Sequence, residues 1–568
     1  MSPARPLRPR LCDINMIDLS NKNLSTGSPR FEEGRPAELA RAQGSEAAWL
    51  QLLRQHGPAE AARQVKGRFA VGLTTPEGEV FLAVDRFAVE PICYRVDGDV
   101  LRFAARADDL GRPEDIDPQA IFDYLYFHVI PAPRTIFKNV FRLPAGHYAS
   151  FRDGQLTVAP YWVPSFAPVA HASFEHLSEE FRGILRDAVT DQLDGGKAGC
   201  FLSGGTDSST ISGMAAQLTG GKAATYSIGF EAEGYDEMEF ARIAARHFKT
   251  EHHEYYVTPA DLVRSVPEVA GWYDQPFGNS SALPAYYCAR MAREDGVTRI
   301  LAGDGGDELF GGNTRYAKQK VFGVYDDLPA HGLLEGFADQ GWAQRVPLVR
   351  KLASYVNQAK VPMPDRMHTY NQLERLGVGE VLSARFLESV DALEPRRHQR
   401  ETWRLAKSGD LVDSMLAYDW RYTLADCDLP KVCGTTRLAG LGVGFPMLDD
   451  RLLEFSTRLP ASYKVRGLRL RWFFKEALRG FLPDEIITKK KQGFGLPFGV
   501  WAHRDAALKQ LAADSLDGLV ARGIVRAEFS RSLITEWLPK HPGFYGEMIW
   551  ILMMLEQWLR RHAPQYRV

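Results

Sequence analysis

The sequence predicts an α/β protein with a β-rich N-terminal domain, a central domain built on a parallel sheet, and a largely helical C-terminal part. Three observations carry that expectation. Between residues 46 and 162, short apolar runs are separated by Gly, Asp and Pro turns. From 198 to about 310, apolar strands alternate with helix-spaced segments, the pattern of βαβ units around a parallel sheet. Beyond about 314, helical spacing dominates to residue 568.

Taken in order, residues 1–45 are polar and rich in Pro, Arg, Ser and Asn, and are expected to be disordered or loosely packed. The domain expected over 46–165 opens with a helix in "SEAAWLQLLRQHG". Strands follow in "GRFAVGLTT", "EVFLAVDR", "PICYRVDG" and "VLRFAAR". "HYASFRDGQLTVAPYW" reads as a hairpin with Asp-Gly at its tip. "VPSFAPVAHASFEHL" reads as a linker. The second domain is expected over 180–510, with strands in "AGCFLSGG", "AATYSIGF", "EHHEYYV" and "VTRILAGDGG". Helices lie between them, beginning with "DSSTISGMAAQL" and "DEMEFARIAARHF". Residues 511–568 are expected as a C-terminal helical extension. No internal repeat or heptad array is visible.

Composition excludes several function classes. Hydrophobic residues make up 45% and charged residues 25%, and the net charge is −2, so nothing favours nucleic acid or an anionic membrane as partner. The six cysteines, at 12, 93, 200, 288, 427 and 433, form no CxxC pair and are expected as free thiols in a reducing cytoplasm. "MSPARPLRPRLCDIN" has arginines with no apolar run behind them, which is not the pattern of a signal peptide. No run approaches the ~18 apolar residues of a membrane span.

Two loops carry the chemistry. Ser203-Gly204-Gly205-Thr206-Asp207-Ser208 follows the first strand of the α/β region and opens a helix. A helix N-terminus offers unpaired N–H groups and partial positive charge, and glycines let backbone approach an anion closely. Asp207 would repel phosphate unless Mg²⁺ bridges the two. The loop is not GxxxxGK[ST]; Lys222 follows two glycines but precedes Ala. The second loop, "LAGDGGDELFGG" at 301–312, also follows an apolar strand and carries Asp304, Asp307 and Glu308 among its glycines. Acids at a strand end beside a phosphate loop are natural metal ligands.

SGGxDS after a strand resembles the pyrophosphate loop of the N-type ATP pyrophosphatases. SGGTDSS with GDGGDELFGG resembles the synthetase domain of the class B asparagine synthetases. "GRFAVGL", "DRFAVEPICYR", "TIFKNVFRLPAGHY" and "KKKQGFGLPFGVW" resemble further segments of that family, so the likeness spans about 60 to 505. The resemblance implies an adenine nucleotide α-hydrolase-like synthetase domain behind an Ntn-hydrolase-like, truncated amidotransferase domain. It implies ATP and Mg²⁺, adenylation of a carboxylate with release of pyrophosphate, and displacement of AMP by a nitrogen nucleophile. Matched by position, Ser203, Gly204, Gly205, Asp207 and Ser208 would hold pyrophosphate, with Gly305 from the second loop. Asp207 and Asp307 would hold Mg²⁺, and Leu202, Ile228 and Gly229 would line the adenine and ribose pocket. Lys491 matches the lysine that stabilises charge at the adenylate.

Two departures bear on function. The family's glutaminase uses a cysteine directly after the initiator Met; here residue 2 is Ser, and Cys12 is internal. Counterparts of the family's "RGPD", "HRRL" and "NGEIYN" segments are not found, so glutaminase chemistry is not expected. In "KVCGTTRLAGLGVGFPMLD", 431–449, the family's Asp, Glu and Arg become Cys433, Gly442 and Gly444, while Lys431, Pro446, Leu448 and Asp449 are kept. Gly442 is expected to open space near the nucleophile, and Asp426 or Asp428 to replace the lost acid as catalytic groups. The expected activity is an AMP-forming amide synthetase that uses ammonia or a substrate amine, tailoring a natural product or polysaccharide. The alternatives are a glutamine-dependent asparagine synthetase, a lasso-peptide macrocyclase, and an inactive nucleotide-binding scaffold. The expected partners are a small-molecule or peptide carboxylate and an amine, with a homodimer allowed.

Overall fold

The computed structural model describes residues 23–169, 172–193, 195–326, 357–490, 493 and 495–568. The N-terminal domain is a sandwich. Its larger sheet uses β1 (Leu24–Arg30), β2 (Lys66–Thr74), β3 (Val80–Val84), β7 (His147–Arg152) and β8 (Gln155–Pro160), in the order β1-β2-β3-β7-β8, every pair antiparallel. The smaller sheet orders β4 (Cys93–Asp97), β5 (Val100–Ala104) and β6 (Phe141–Arg142) as β5-β4-β6. Strand alternation sends Phe69, Val71 and Leu73 to one face, where they pack with Trp49. It sends Ala70, Leu82 and Val84 to the other, against Ile92, Tyr94 and Leu101. Trp49 is fully buried, with its ring 5.1 Å from that of Phe69 and 5.9 Å from that of Phe81.

Residues 1–45 are expected to be disordered or loosely packed; 1–22 lie outside the described residues, and 24–43 are instead ordered. β1 pairs with β2 over seven residues, from Leu24 opposite Gly72 to Arg30 opposite Lys66. The helices α1 (Arg35–Gln43) and α2 (Ser45–Gln64) follow. "LSTGSPR" is too polar to read as a strand; as an edge strand it takes its order from the apolar β2 beside it. Arg30, at the end of β1, reaches Asp449 at 2.9 Å. Arg86 reaches Asp450 at 2.8 Å, so charge pairs bind the two domains together.

A third helix, α3 (Pro118–Phe127), is capped by Asp117, whose side chain accepts from Gln119 N. It belongs to the large core: Tyr124 donates its hydroxyl to Ile551 O at 2.8 Å. His128 closes α3 in the left-handed region at φ 65°, with its Nε2 sealed and without a hydrogen-bond partner. Burial lowers its pKa to about 4. The ring is therefore neutral in the folded chain but titrates near 6.5 when unfolded. Its contribution to stability is complete above pH 6.5 and is lost as pH falls toward 4. In His128→Asn, which keeps the left-handed turn, the pH dependence of stability measured by urea unfolding over that window should flatten by about 1.4 kcal/mol per pH unit. An unchanged slope would show that His128 titrates normally.

The second domain begins with α4 (Phe174–Thr190), capped by Ser173. Its sheet uses β9 (Gly199–Phe201), β10 (Ala224–Phe230), β11 (Glu251–Val257), β12 (Arg299–Leu301) and β13 (Gly442–Gly444), all parallel, in the order β11-β10-β9-β12-β13. Helices α5 (Thr206–Leu218), α6 (Met238–Phe248), α7 (Pro259–Trp272) and α8 (Ala282–Glu294) connect the first four strands. A short helix, α9 (Gly306–Phe310), and α10 (Thr314–Asp326) lead into the helical region. The order reverses between β9 and β12, and the crevice beyond the C-terminal ends of those two strands is where such sheets bind ligands.

Residues 511–568 are not an appendage. The helix Pro542–His562 is buried along most of its length, including Met548 through Leu555, and it packs against α7 and the helices Phe498–Arg504 and Ala506–Ala521. A helix apolar on all sides is a core element. Among the described residues, no helix is long and apolar enough to cross a membrane.

Candidate active site

A cavity of about 1010 Å³ lies in that crevice. One wall is the loop between β9 and α5. Leu202, Ser203, Gly205, Asp207 and Ser208 line the cavity, as the sequence led us to expect, and Thr206 lines it with them. Ser208 Oγ holds the loop closed: it accepts from Ser203 N at 3.2 Å and lies 3.0 Å from Ser203 Oγ. Gly204 turns away from the cavity. Its φ is +70°, and a Cβ there would lie 2.5 Å from Ala241 N, so no other residue fits against the start of α6. Lys489 lies beneath, donating to Gly204 O at 3.3 Å and pairing with Glu237 at 2.9 Å.

The loop after β12 forms the facing wall. Asp304, Gly305, Asp307 and Glu308 all line the cavity. Asp207 and Asp307 converge on one cation, the guanidinium of Arg471. Its Nη1 is 2.5 Å from Asp207 Oδ1, and its Nη2 contacts Asp307 Oδ1. Two carboxylates from two strand ends sharing one positive charge is the donor set that a hard divalent cation takes, so these residues fit Mg²⁺. Burial pushes the Glu308 carboxyl up to about 8, with Asp428, Asp419 and Asp207 adding to the shift.

The residues expected around adenine and ribose divide. Ile228 lines the cavity with Tyr226 and Ser227. Gly229 does not: a Cβ there would meet the Tyr256 ring at 2.6 Å, so its smallness serves packing within the sheet.

The two candidate acids separate. The chain from Leu411 to Leu438 runs as one helix that widens into a π-helix over Trp420–Asp428. Pro430 follows that stretch and has no N–H to give an ordinary helical bond. Asp428 faces the cavity, accepting from Lys431 Nζ at 2.9 Å. Lys431 also lies 3.5 Å from Asp304. Burial works to lower the Lys431 ammonium, but Asp428 and Asp304 outweigh it and hold it above the ordinary lysine value. Asp426 is a correction: it is 7% exposed, does not line the cavity, and pairs with Arg421 at 3.1 Å while accepting from Ala132 N.

Gly442 is a second correction. It starts β13 opposite Arg299 at the start of β12, the end of the sheet away from both loops, and lines no part of the cavity. Gly444 opens no space either, because Gln192 Oε1 would lie 2.5 Å from its Cβ. Cys433 is buried and directs its thiol toward Val89 O. Of the three acids that face the cavity from the loop after β12, Asp304 is the one beside Lys431.

Lys491, Gln492 and Phe494 lie outside the described residues. Their neighbours Lys489 and Lys490 line the cavity with Arg469, Arg471 and Lys475, a basic wall suited to a polyphosphate. Sequence reasoning passed over Arg471. Its one signal was the run of three arginines in "VRGLRLR", which reads equally well as a solvated hairpin.

Comparison with known proteins finds matches over both domains. The sequence model of a family described as Asparagine synthase matches residues 180–560, and that of a Glutamine amidotransferase domain matches residues 40–162. Asparagine synthetase [glutamine-hydrolyzing] 1 of Bacillus subtilis is 26% identical over 453 residues, 79% of this chain and 70% of that protein. A putative asparagine synthetase [glutamine-hydrolyzing] of Mycobacterium tuberculosis is 27% identical over 473 residues, 78% of this chain and 69% of its own. A putative asparagine synthetase [glutamine-hydrolyzing] 2 of Methanocaldococcus jannaschii is 36% identical over 247 residues, 42% and 47% of the two chains.

Proposed function

The chain belongs to the asparagine synthase family, whose members are ATP-dependent amide ligases, and from that premise we propose that it forms an amide with release of AMP and pyrophosphate, taking ammonia or a substrate amine directly. The observation that carries the AMP-forming part is the pairing of Asp207 and Asp307 around one cation beside a Ser-Gly-Gly turn at a helix N-terminus. That arrangement would hold the β- and γ-phosphates of ATP and supply charge neutralisation for a reaction at the α-phosphorus. A substrate carboxylate attacks there, and pyrophosphate departs toward the basic wall. The amine then attacks the acyl carbon and AMP leaves with the former carboxylate oxygen. Mg²⁺, held by Asp207 and Asp307, would neutralise charge on the polyphosphate.

The chain's own residues supply position and electrostatics. Ser203 and Ser208 hydroxyls and the first N–H groups of α5 bind phosphate oxygens. Asp304 and Asp428 face the acceptor side, where they attract an ammonium and take up its proton, and Lys431 keeps the pair from repelling each other. On the resemblance, Lys491 stabilises charge at the adenylate.

The reading without glutaminase rests on the N-terminal domain. Cys12 lies outside the described residues; Cys93, in β4, is fully buried, with burial pushing its thiol up to about 12. Such a thiol does not act as a nucleophile. The match to a glutamine amidotransferase domain favours a second reading, glutamine-dependent asparagine synthesis.

One experiment separates them: AMP and pyrophosphate release from ATP and Mg²⁺ with a panel of carboxylates including aspartate, each with ammonia, glutamine, a primary amine or no nitrogen source. We expect AMP and pyrophosphate in equal amounts, with no gain from glutamine. A glutamine-stimulated reaction on aspartate would establish asparagine synthesis. ADP and phosphate as products would overturn the adenylation.

A further inference from the structure

Arg471 is held too closely to be a surface arginine that drifted into the site. It is 5% exposed. Its backbone sits at φ +51°, a conformation that side-chain-bearing residues adopt at a cost, and its N–H donates to Gly311 O at 3.2 Å. The guanidinium touches three partners from two loops: Thr206 Oγ1, Asp207 and Asp307. Gly312 leaves room for it; a Cβ there would lie 2.2 Å from Arg471 Nε. The hairpin that delivers it pairs Val465–Arg466 with Arg469–Leu470. At its tip Leu468 is 63% exposed, and Leu468 also lines the cavity.

A cation bound by both aspartates needs their oxygens within about 4 Å of each other, at roughly 2.1 Å from its centre. The guanidinium lies between those oxygens, so Arg471 and a bridging metal cannot share the seat. Resting on the reading of Asp207 and Asp307 as metal ligands, we propose that Arg471 is an internal counter-cation that keeps free divalent metal out of the site and gives way only to metal carried with a polyphosphate.

The energetics support that order of events. A free metal ion would have to displace a buried guanidinium and leave it without an anion, which is strongly unfavourable. A metal–nucleotide complex brings its own anionic oxygens, on which the displaced guanidinium re-pairs. Arg471 thus makes metal and nucleotide binding mutually dependent, a coupling built from differential contacts.

The test is binding of Mn²⁺ without nucleotide, followed by the electron paramagnetic resonance signal of the free ion, for the full chain and its variants. The parent protein should bind Mn²⁺ weakly at this seat. Arg471→Met should bind one equivalent at least about tenfold more tightly. Asp307→Asn in that background should remove the gain. Arg471→Lys keeps a cation in place and should restore exclusion, which separates the charge from any loss of packing. Mn²⁺ should also raise the thermal midpoint of Arg471→Met and leave that of the parent unchanged. Equal tight binding by parent and Arg471→Met would overturn the proposal, as would no binding by either. Neither outcome depends on catalysis, so AMP release tests the amide-synthetase reading separately.

Discussion

Asp207→Ala should lower the rate of AMP release by a factor on the order of 10²–10³ or more while the protein remains folded. The carboxylate stands at the start of α5, where it contacts Arg471 and faces Asp307 across the crevice. It has no part in the apolar core, so on the proposed reading its loss falls on the binding of polyphosphate and not on folding. If Asp207 is a metal ligand, raising Mg²⁺ should recover part of the rate in Asp207→Asn, which keeps the side chain's shape. A residue that merely anchored Arg471 would show no such dependence on metal. Turnover within a factor of about three of the parent would remove Asp207 from the machinery.

Lys464→Ala should destabilise the protein by about 3–5 kcal/mol, measured by urea unfolding. Lys464 is fully buried and its ammonium lies 2.7 Å from Asp413, which is itself 2% exposed. Burial lowers the Lys464 pKa, and Asp413 opposes that shift. Removing the lysine leaves a buried carboxylate without its partner. Replacing both, as Lys464→Met with Asp413→Leu, should recover most of the loss, because the pair's desolvation disappears with its attraction. The pair stands at the root of the hairpin that carries Arg471. A loss under about 1 kcal/mol in Lys464→Ala would show that water reaches Asp413 when the lysine is gone.

The two loops that line the cavity were legible because their residues have few other uses. Glycines, hydroxyls and an acid between a strand and a helix serve an anion, and a second acid-bearing loop after another strand invites a metal. The errors came from direction. A motif's spacing says nothing about which end of a short strand faces the ligand; Gly442, expected near the nucleophile, stands at the end of β13 away from the cavity. Asp426 and Asp428 are two residues apart, which on a helix puts them on nearly opposite faces; one meets Arg421 and the other the cavity. β1 was hidden by its polarity, since an edge strand takes its order from its neighbour. Arg471 was hidden by its company, being one of three arginines in a seven-residue stretch. Only the tertiary fold shows which of them turns inward.

The buried helix Pro542–His562 has a consequence for how the protein is made. It seals a core whose strands begin at Gly199, and α3 of the N-terminal domain also docks on it. At about 5–20 residues per second, a ribosome needs on the order of tens of seconds to pass from the first strand of the sheet to this helix. Through that interval the nascent chain exposes the apolar surfaces that the helix later covers. The protein should therefore lean on holding chaperones during synthesis. A stop codon before residue 542 should yield insoluble protein, even though every described residue that lines the cavity would already have been translated.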